Sequence, residues 1–299
     1  MISSDTNPKV KHVRRLQSDR RFRTREQQFV VEGTRWLAEL TAPDAPTAVM
    51  LFATADWLDN PNHQALAHQL PLAPLPVAPE IMAAMSDTAT PSGALAVLPW
   101  PRPPWPTAPQ RLLILDALRD PGNLGTIIRT AAAAGVDGLL LAPGCVDPFN
   151  PKVVRSSMGA LLRLPLRSAN WHQIADHTAG MQVFVAAGEA QTSYTAVDWT
   201  QPSALIIGGE ADGAGRVARE LAHTAVAIPL ARAVESLNAA VATSVILFEA
   251  VRQGGRGKYE RWVTGTLQAI VPVTSIGGFL YNFKSTRNVS AGVPSGFSR

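Results

Sequence analysis

The chain has 299 residues, 46% of them hydrophobic and 17% charged, which is enough apolar material for one or two packed cores, with the usual domain size favouring two. Its single cysteine, Cys145, excludes a disulfide framework and any zinc cluster built on cysteines, and reads as a reduced, cytoplasmic protein. The net charge of +4 is unevenly spread: residues 9–35 hold nine basic and three acidic side chains, so that segment carries +6 and the remainder −2.

Residues 1–11 are polar and lack an apolar signal core, so secretion is not expected. The basic segment that follows (Lys9, Lys11, Arg14, Arg15, Arg20, Arg21, Arg23, Arg25 and Arg35) suits a phosphate backbone, and taken alone it reads equally well as a solvated helix face. Residues 27–33 (QQFVVEG) predict a short strand and turn, 34–40 a helix, and 49–54 (VMLFAT) a second strand, together a small α/β domain with 71–79 as loop. Six of the twelve residues in 99–110 (PWPRPPWPTAPQ) are proline, which prevents helix and makes a stiff, extended connector. The domain boundary belongs there, separating 1–98 from 111–254.

Beyond the connector the pattern becomes regular. Apolar runs at 112–115, 138–141, 183–186, 204–207 and 225–229 predict strands; 124–134, 151–158, 171–179, 216–223 and 237–252 predict helices. Strands alternating with helices imply a largely parallel sheet covered on both faces, with chemistry in the loops beyond the carboxyl ends of the strands. From 255 to 299 the chain is Gly-interrupted, too broken for a membrane span, and is treated as a dispensable appendage without a role.

Three of these loops stand out. In LILDALRDPGNLGTIIRTAAAAGVDGLLL (112–141), a buried strand ends at Asp116 and a helix opens near Leu124. Asn123 and Arg129 are six residues apart, about 240° on an ideal helix, so only a helix starting after Asn123 lets both reach one cleft. Gly122 and Gly125 do not make the G-x-G-x-x-G turn of a dinucleotide site. By composition alone Arg129 reads as a surface arginine. In ALIIGGEADGAG (204–215), Gly208 and Gly209 after a buried strand permit close approach of a ligand to the backbone, and Glu210 can accept a hydrogen bond there. In AIPLARAVESLNAAVATSVILFEAVRQ (227–253), Ser236 is a natural N-cap for a helix apolar nearly all round, expected to be buried on more than one side. Each loop has a purely structural reading when taken alone.

Taken together and in this order, NLGTIIRT, IGGEADG and IPLARAVESLNAAVA resemble the three signature motifs of the SpoU (TrmH-type) branch of the SPOUT RNA 2'-O-ribose methyltransferases, over 112–253. DPFNPKVVRSSMGAL (147–161) fits the family's segment between the first two motifs, and NPKVKHVRRL…QQFVVEGTRWL is similar to the small ribosomal-protein-like substrate-binding domain often found ahead of it. The resemblance implies an α/β catalytic domain with a C-terminal trefoil knot, preceded by a small α/β RNA-binding domain, in a homodimer without metal or membrane anchor. It implies S-adenosylmethionine as cofactor, held largely by backbone at Gly208, Ile228 and Leu237. It carries the catalytic role to Arg129, with Asn123, Glu210, Ser236 and Asn238 at the family's other polar positions. A guanidinium with a pKa above ~12 is a poor base, so Arg129 is expected to clamp phosphate and stabilise the oxyanion. Ribosomal RNA is expected before transfer RNA. A nicotinamide enzyme would need the missing glycine turn, and a non-catalytic RNA-binding module would leave Asn123, Arg129, Glu210 and Asn238 without purpose.

Overall fold

The structure, a computed structural model, describes residues 1–231 and 236–254; the expectation of a dispensable tail at 255–299 lies outside the described residues. The N-terminal part runs α1 (Pro8–Ser18), α2 (Arg20–Glu26), β1 (Gln28–Glu32), α3 (Thr34–Glu39), β2 (Met50–Ala53), α4 (Ala55–Asp59), α5 (Pro61–Ala67), β3 (Leu75–Pro76), α6 (Pro79–Met85) and β4 (Ala94–Pro99). Its sheet has the order β1-β4-β2-β3, antiparallel except for the β2–β3 pair. The basic segment is helical. Asn7 caps α1 ahead of Pro8, Asp19 caps α2 by accepting from the Phe22 N–H, and Val10, Val13 and Leu16 recur at helical spacing on the buried face.

Not all of that basic segment faces solvent. Arg23 is buried: its Nε and Nη2 donate to Asp147 Oδ2 at 2.9 and 2.7 Å, and its Nη1 donates to the carbonyls of Leu16 and Gln17. It is a bolt between the N-terminal helices and the loop that follows β6, and the expectation that it belongs to a phosphate-facing patch is corrected.

The second part runs β5 (Arg111–Asp116), α7 (Pro121–Ala133), β6 (Gly138–Leu141), α8 (Pro151–Ser157), β7 (Leu166–Ser168), α9 (Trp171–His177), β8 (Gln182–Ala186), β9 (Thr192–Ser193), β10 (Ser203–Gly208), α10 (Arg216–Leu221), β11 (Thr224–Ala227) and α11 (Ala239–Gly254). The seven strands pair in parallel in the order β7-β6-β5-β10-β8-β11-β9. Strand residues alternate between two buried layers. Leu112, Ile114, Val183, Val185, Ala204 and Ile206 pack toward α9 and α10, while Leu113, Leu115, Leu205 and Ile207 share a core with α7, α8 and α11. That second core does not stop at the connector. It continues through Phe149 to Phe29, Val31, Leu51 and Leu98 of the first sheet.

Candidate active site

The site forms where β5 and β10, side by side in the sheet, release their chains. Asp116 ends β5 buried and accepts the Gly215 N–H at 2.7 Å, tying the β10–α10 loop to the neighbouring strand end. The next loop brings the chain to Asp120, which caps α7 by accepting the Asn123 N–H at 2.7 Å, with Pro121 in the first turn. The helix therefore starts before Asn123, not after it. The condition for Asn123 and Arg129 to share one cleft is not met within a single chain, because Arg129 lies roughly 9 Å farther along the helix and on another face.

Asn123 instead joins two other loops. Its Nδ2 donates to Glu210 Oε1 at 2.9 Å, and its Oδ1 accepts from Asn238 Nδ2 at 2.9 Å. Glu210 also accepts the backbone N–H groups of Arg119 (3.2 Å) and Asp120 (3.1 Å). Burial raises the energy of its charge, but the Asn123 amide and these backbone donors outweigh that, and the carboxyl is held below its ordinary value. Glu210 is therefore a carboxylate at neutral pH, an acceptor and orienting group.

Asn238 also makes the cap that the sequence suggested for Ser236. Its Oδ1 accepts from the Ala240 N–H at 2.9 Å and the Val241 N–H at 3.3 Å, and α11 opens at Ala239. Ser236 lies two residues outside, exposed at the mouth of the cleft. Within a single chain α11 leaves one stripe uncovered: Val241 and Phe248, seven residues apart, are 50% and 45% exposed.

Beside this hydrogen-bonded chain lies a cleft of about 810 Å³. Gly208, Ile228 and Leu237 line it, as do Glu210, Ser236 and Asn238. Gly208 is there for lack of space: a Cβ would stand 2.0 Å from the backbone of Gly213 and Ala214. The wall is thus bare main chain. Arg129 does not line this cleft; it is exposed on α7, and no ion pair or side-chain hydrogen bond holds it among the described residues.

The end of β8 and the 187–189 loop after it also line the cleft, with Glu189 paired to Arg219 at 2.6 Å across its rim. Sequence reasoning missed this loop, although Gly188 and Glu189 follow a buried strand just as Gly208 and Gly209 do. Among the described residues no cluster of three or more His, Cys, Asp or Glu side chains is placed to hold a metal, and no helix is long and apolar enough to cross a membrane.

Comparison with known proteins bears on the same residues. The SpoU rRNA methylase family model matches 110–248, and an MRM3-like substrate-binding domain model matches 7–96. An uncharacterised tRNA/rRNA methyltransferase of Synechocystis is 40% identical over 263 residues, 84% of this chain and 93% of the relative. The Bacillus subtilis 23S rRNA (guanosine(2553)-2'-O)-methyltransferase RlmP is 31% identical, over 83% of this chain and 97% of the relative. In structure, the SpoU methyltransferase AviRb of Streptomyces viridochromogenes, solved with its cofactor AdoMet, superposes with a TM-score of 0.76 at 29% identity, covering 83% of this chain and 98% of that one. With both parts of the chain matched, and the cleft lined by the second and third motif loops and tied to the first through Asn123, this protein belongs to the SpoU rRNA methylase family.

Proposed function

We propose that the protein transfers a methyl group from S-adenosylmethionine to a ribose 2'-hydroxyl of RNA, with ribosomal RNA favoured over transfer RNA. One observation carries the reading. The Glu210–Asn123–Asn238 chain stands at the edge of a cleft walled by bare backbone at Gly208 and by Ile228 and Leu237.

About 810 Å³ is within the range of small-molecule sites, roughly 300–1,000 Å³, and suits a nucleoside with an amino-acid tail. Gly208, Ile228 and Leu237 would hold it through main-chain groups and apolar contact. When bound, S-adenosylmethionine supplies an activated methyl group. The chain's own residues do the rest. Glu210, fixed by three donors, presents its charge to the ribose side of the cleft, while Asn123 and Asn238 keep it in register with α11. Ser236, exposed at the mouth, offers a hydroxyl to the incoming nucleotide. A guanidinium is a poor base at neutral pH, so Arg129 grips the phosphate beside the target ribose and stabilises charge growing on the 2'-oxygen.

Arg129 lies off its own chain's cleft, and this is the reason to place the reaction in a homodimer. Thr130, next to Arg129, accepts a hydrogen bond from Ser244 of α11, so Arg129 adjoins the helix that exposes Val241 and Phe248. A second copy packed on that stripe buries it and receives Arg129 at its own cleft. The reading also carries the family's trefoil knot after β11 and a cytoplasmic location, where ribosomal RNA is made and modified.

The test is transfer of labelled methyl to purified ribosomal and transfer RNA. Incorporation into ribosomal RNA is expected. None into any RNA, from a protein that binds the cofactor, would contradict the reading. Mixing inactive Arg129→Ala and Asn238→Ala chains tests the exchange of Arg129. A mixed dimer then contains one intact site, so activity should return; no recovery in verified mixed dimers would place Arg129 in its own chain's site.

A further inference from the structure

The proline-rich connector forms a wall of a groove. Prolines 101, 103 and 104 hold it extended, and Trp100 and Trp105 from it line a trough of about 650 Å³ between the N-terminal helices and β7. Trp100 stacks on Phe149 with ring centroids 4.3 Å apart, and its buried indole N–H has no acceptor among the described residues. Trp105 is half-buried against Gly138, where any Cβ would come within 2.7 Å of the ring, and the Arg167 guanidinium lies 4.7 Å from its centroid.

The charge in this groove is one-sided. Arg20, Arg102 and Arg167 line it, all exposed, and among the described residues none makes an ion pair. The one carboxylate in its wall, Asp147, is already taken by buried Arg23. The groove also leads somewhere. Arg20, Pro148 and Ser168 are shared with a second hollow of about 290 Å³ that reaches Gly144 and Cys145 beyond β6. Gly144 packs on Ala117, in the loop whose next residues donate to Glu210.

We infer that this groove holds a single-stranded stretch of the substrate RNA flanking the target nucleotide. Its phosphates lie on Arg20, Arg102 and Arg167, and its bases lie against Trp100 and Trp105. The inference rests on the methyltransferase reading and names where that substrate is gripped. Exposed arginines along a trough with two indoles in its wall, one of them carrying the Arg167 guanidinium over its ring, match the needs of unpaired nucleotides, whose bases are free to stack on rings and guanidinium planes and whose backbone carries one charge per residue. A duplex hides its base faces and gains only from the charge. The stiff connector adds to this because its rings need no ordering when the strand arrives.

The experiment measures binding of a short labelled single-stranded oligoribonucleotide, and of a hairpin duplex of equal length, to the full chain across a salt series. The triple variant Arg20→Ala/Arg102→Ala/Arg167→Ala changes only exposed side chains. It should bind the single strand about tenfold or more weaker, with a log–log salt slope shallower by about 2, since each lost single-strand phosphate contact removes roughly 0.7. The triple lysine variant should recover the slope but not the full affinity, because a point charge does not stack. Single-strand affinity and slope both unchanged in the alanine variant would overturn the inference. So would equal losses for strand and duplex, which would mark a general electrostatic surface. Methyl transfer to ribosomal RNA by the wild-type preparation decides the enzyme reading separately. Transfer intact beside an unaltered oligonucleotide affinity would sink the groove alone.

Discussion

Asn123 is the residue on which the site turns. One amide donates to Glu210 and accepts from Asn238, joining positions 87 and 115 residues farther along the chain. Its loss leaves Glu210 without its side-chain donor and the cap of α11 without its brace. A hydrogen bond to a charged group contributes about 1.5–3 kcal/mol, so Asn123→Ala should slow methyl transfer by about tenfold or more while cofactor affinity changes little. Single-turnover transfer with calorimetry of cofactor binding checks this; an equal loss in both would mean that Asn123 merely shapes the cleft. Glu249 bears on stability instead. Hydrogen bonds from Arg252, with a further one from Gln253, outweigh its burial and depress its carboxyl from 4.5 to about 2. A depressed carboxyl stabilises the fold fully above its unfolded value and loses that contribution as pH falls through the folded one. The gap in Tm between wild type and Glu249→Gln should therefore be widest above about 4.5 and close toward 2. A gap independent of pH across that window would contradict the assignment.

At the scale of elements, α7 and α11 show what patterning reveals and what it hides. The Asp120-Pro121 pair is an N-cap followed by proline in the first turn, and it was readable as a helix start. Gly122 and Gly125 obscured it, since glycines read as turn. Gly125 is in fact a crossing point: a Cβ there would come within 2.4 Å of Ser156 and 2.7 Å of the Val153 carbonyl on α8. Such a contact is tertiary, and no local pattern announces it. The cap of α11 was misplaced by two residues for a similar reason. Ser236 and Asn238 are both good caps, and the choice falls to Asn238 because Asn123 holds it in place. The central strands of the second sheet were legible because both faces are buried and the runs are continuous, whereas the edge strands β7, three residues and largely exposed, and β9, two residues, left no signal. The exposed stripe on α11 leads to a prediction. Phe248→Glu, at a position 45% exposed in one chain, should leave the monomer folded but shift sedimentation from dimer to monomer and abolish transfer. A dimer that survives both Phe248→Glu and Val241→Glu would move the interface elsewhere.

At the scale of the molecule, two sheets were foreseeable from the proline connector, but their joining was not. Charge composition placed Arg23 with its neighbours in a basic patch; only the fold shows it facing Asp147, 124 residues away. Arg155 pairs with Asp87, and Arg163 with Glu39, so ion pairs cross the same boundary at its exposed edge. The apolar core runs across it as well. Exposed pairs contribute little, but removing one partner of a buried pair strands the other charge, at a cost of about 3–5 kcal/mol. Arg23→Ala should lower stability by that order in denaturant unfolding, whereas Arg163→Ala should cost about 1 kcal/mol or less. Equal effects would mean that Arg23 is not the bolt. The same junction carries the proposed RNA groove, lined by Arg20 of the first part and Arg167 of the second, so its rigidity would matter to how the strand is held.

If this cleft methylates ribose 2'-hydroxyls of ribosomal RNA, the modified linkages resist alkali, and a map of those linkages is the most direct measurement. A 2'-O-methyl group removes the nucleophile that cleaves RNA in alkali, so each modified ribose leaves a gap in the hydrolysis ladder. Ribosomal RNA from cells lacking the gene would be incubated with purified protein and S-adenosylmethionine, then hydrolysed and sequenced. A new gap is expected, absent with Arg129→Ala and present in RNA from cells that carry the gene. A labelled product with an unbroken ladder, its methyl group on a base, would contradict methylation of the ribose.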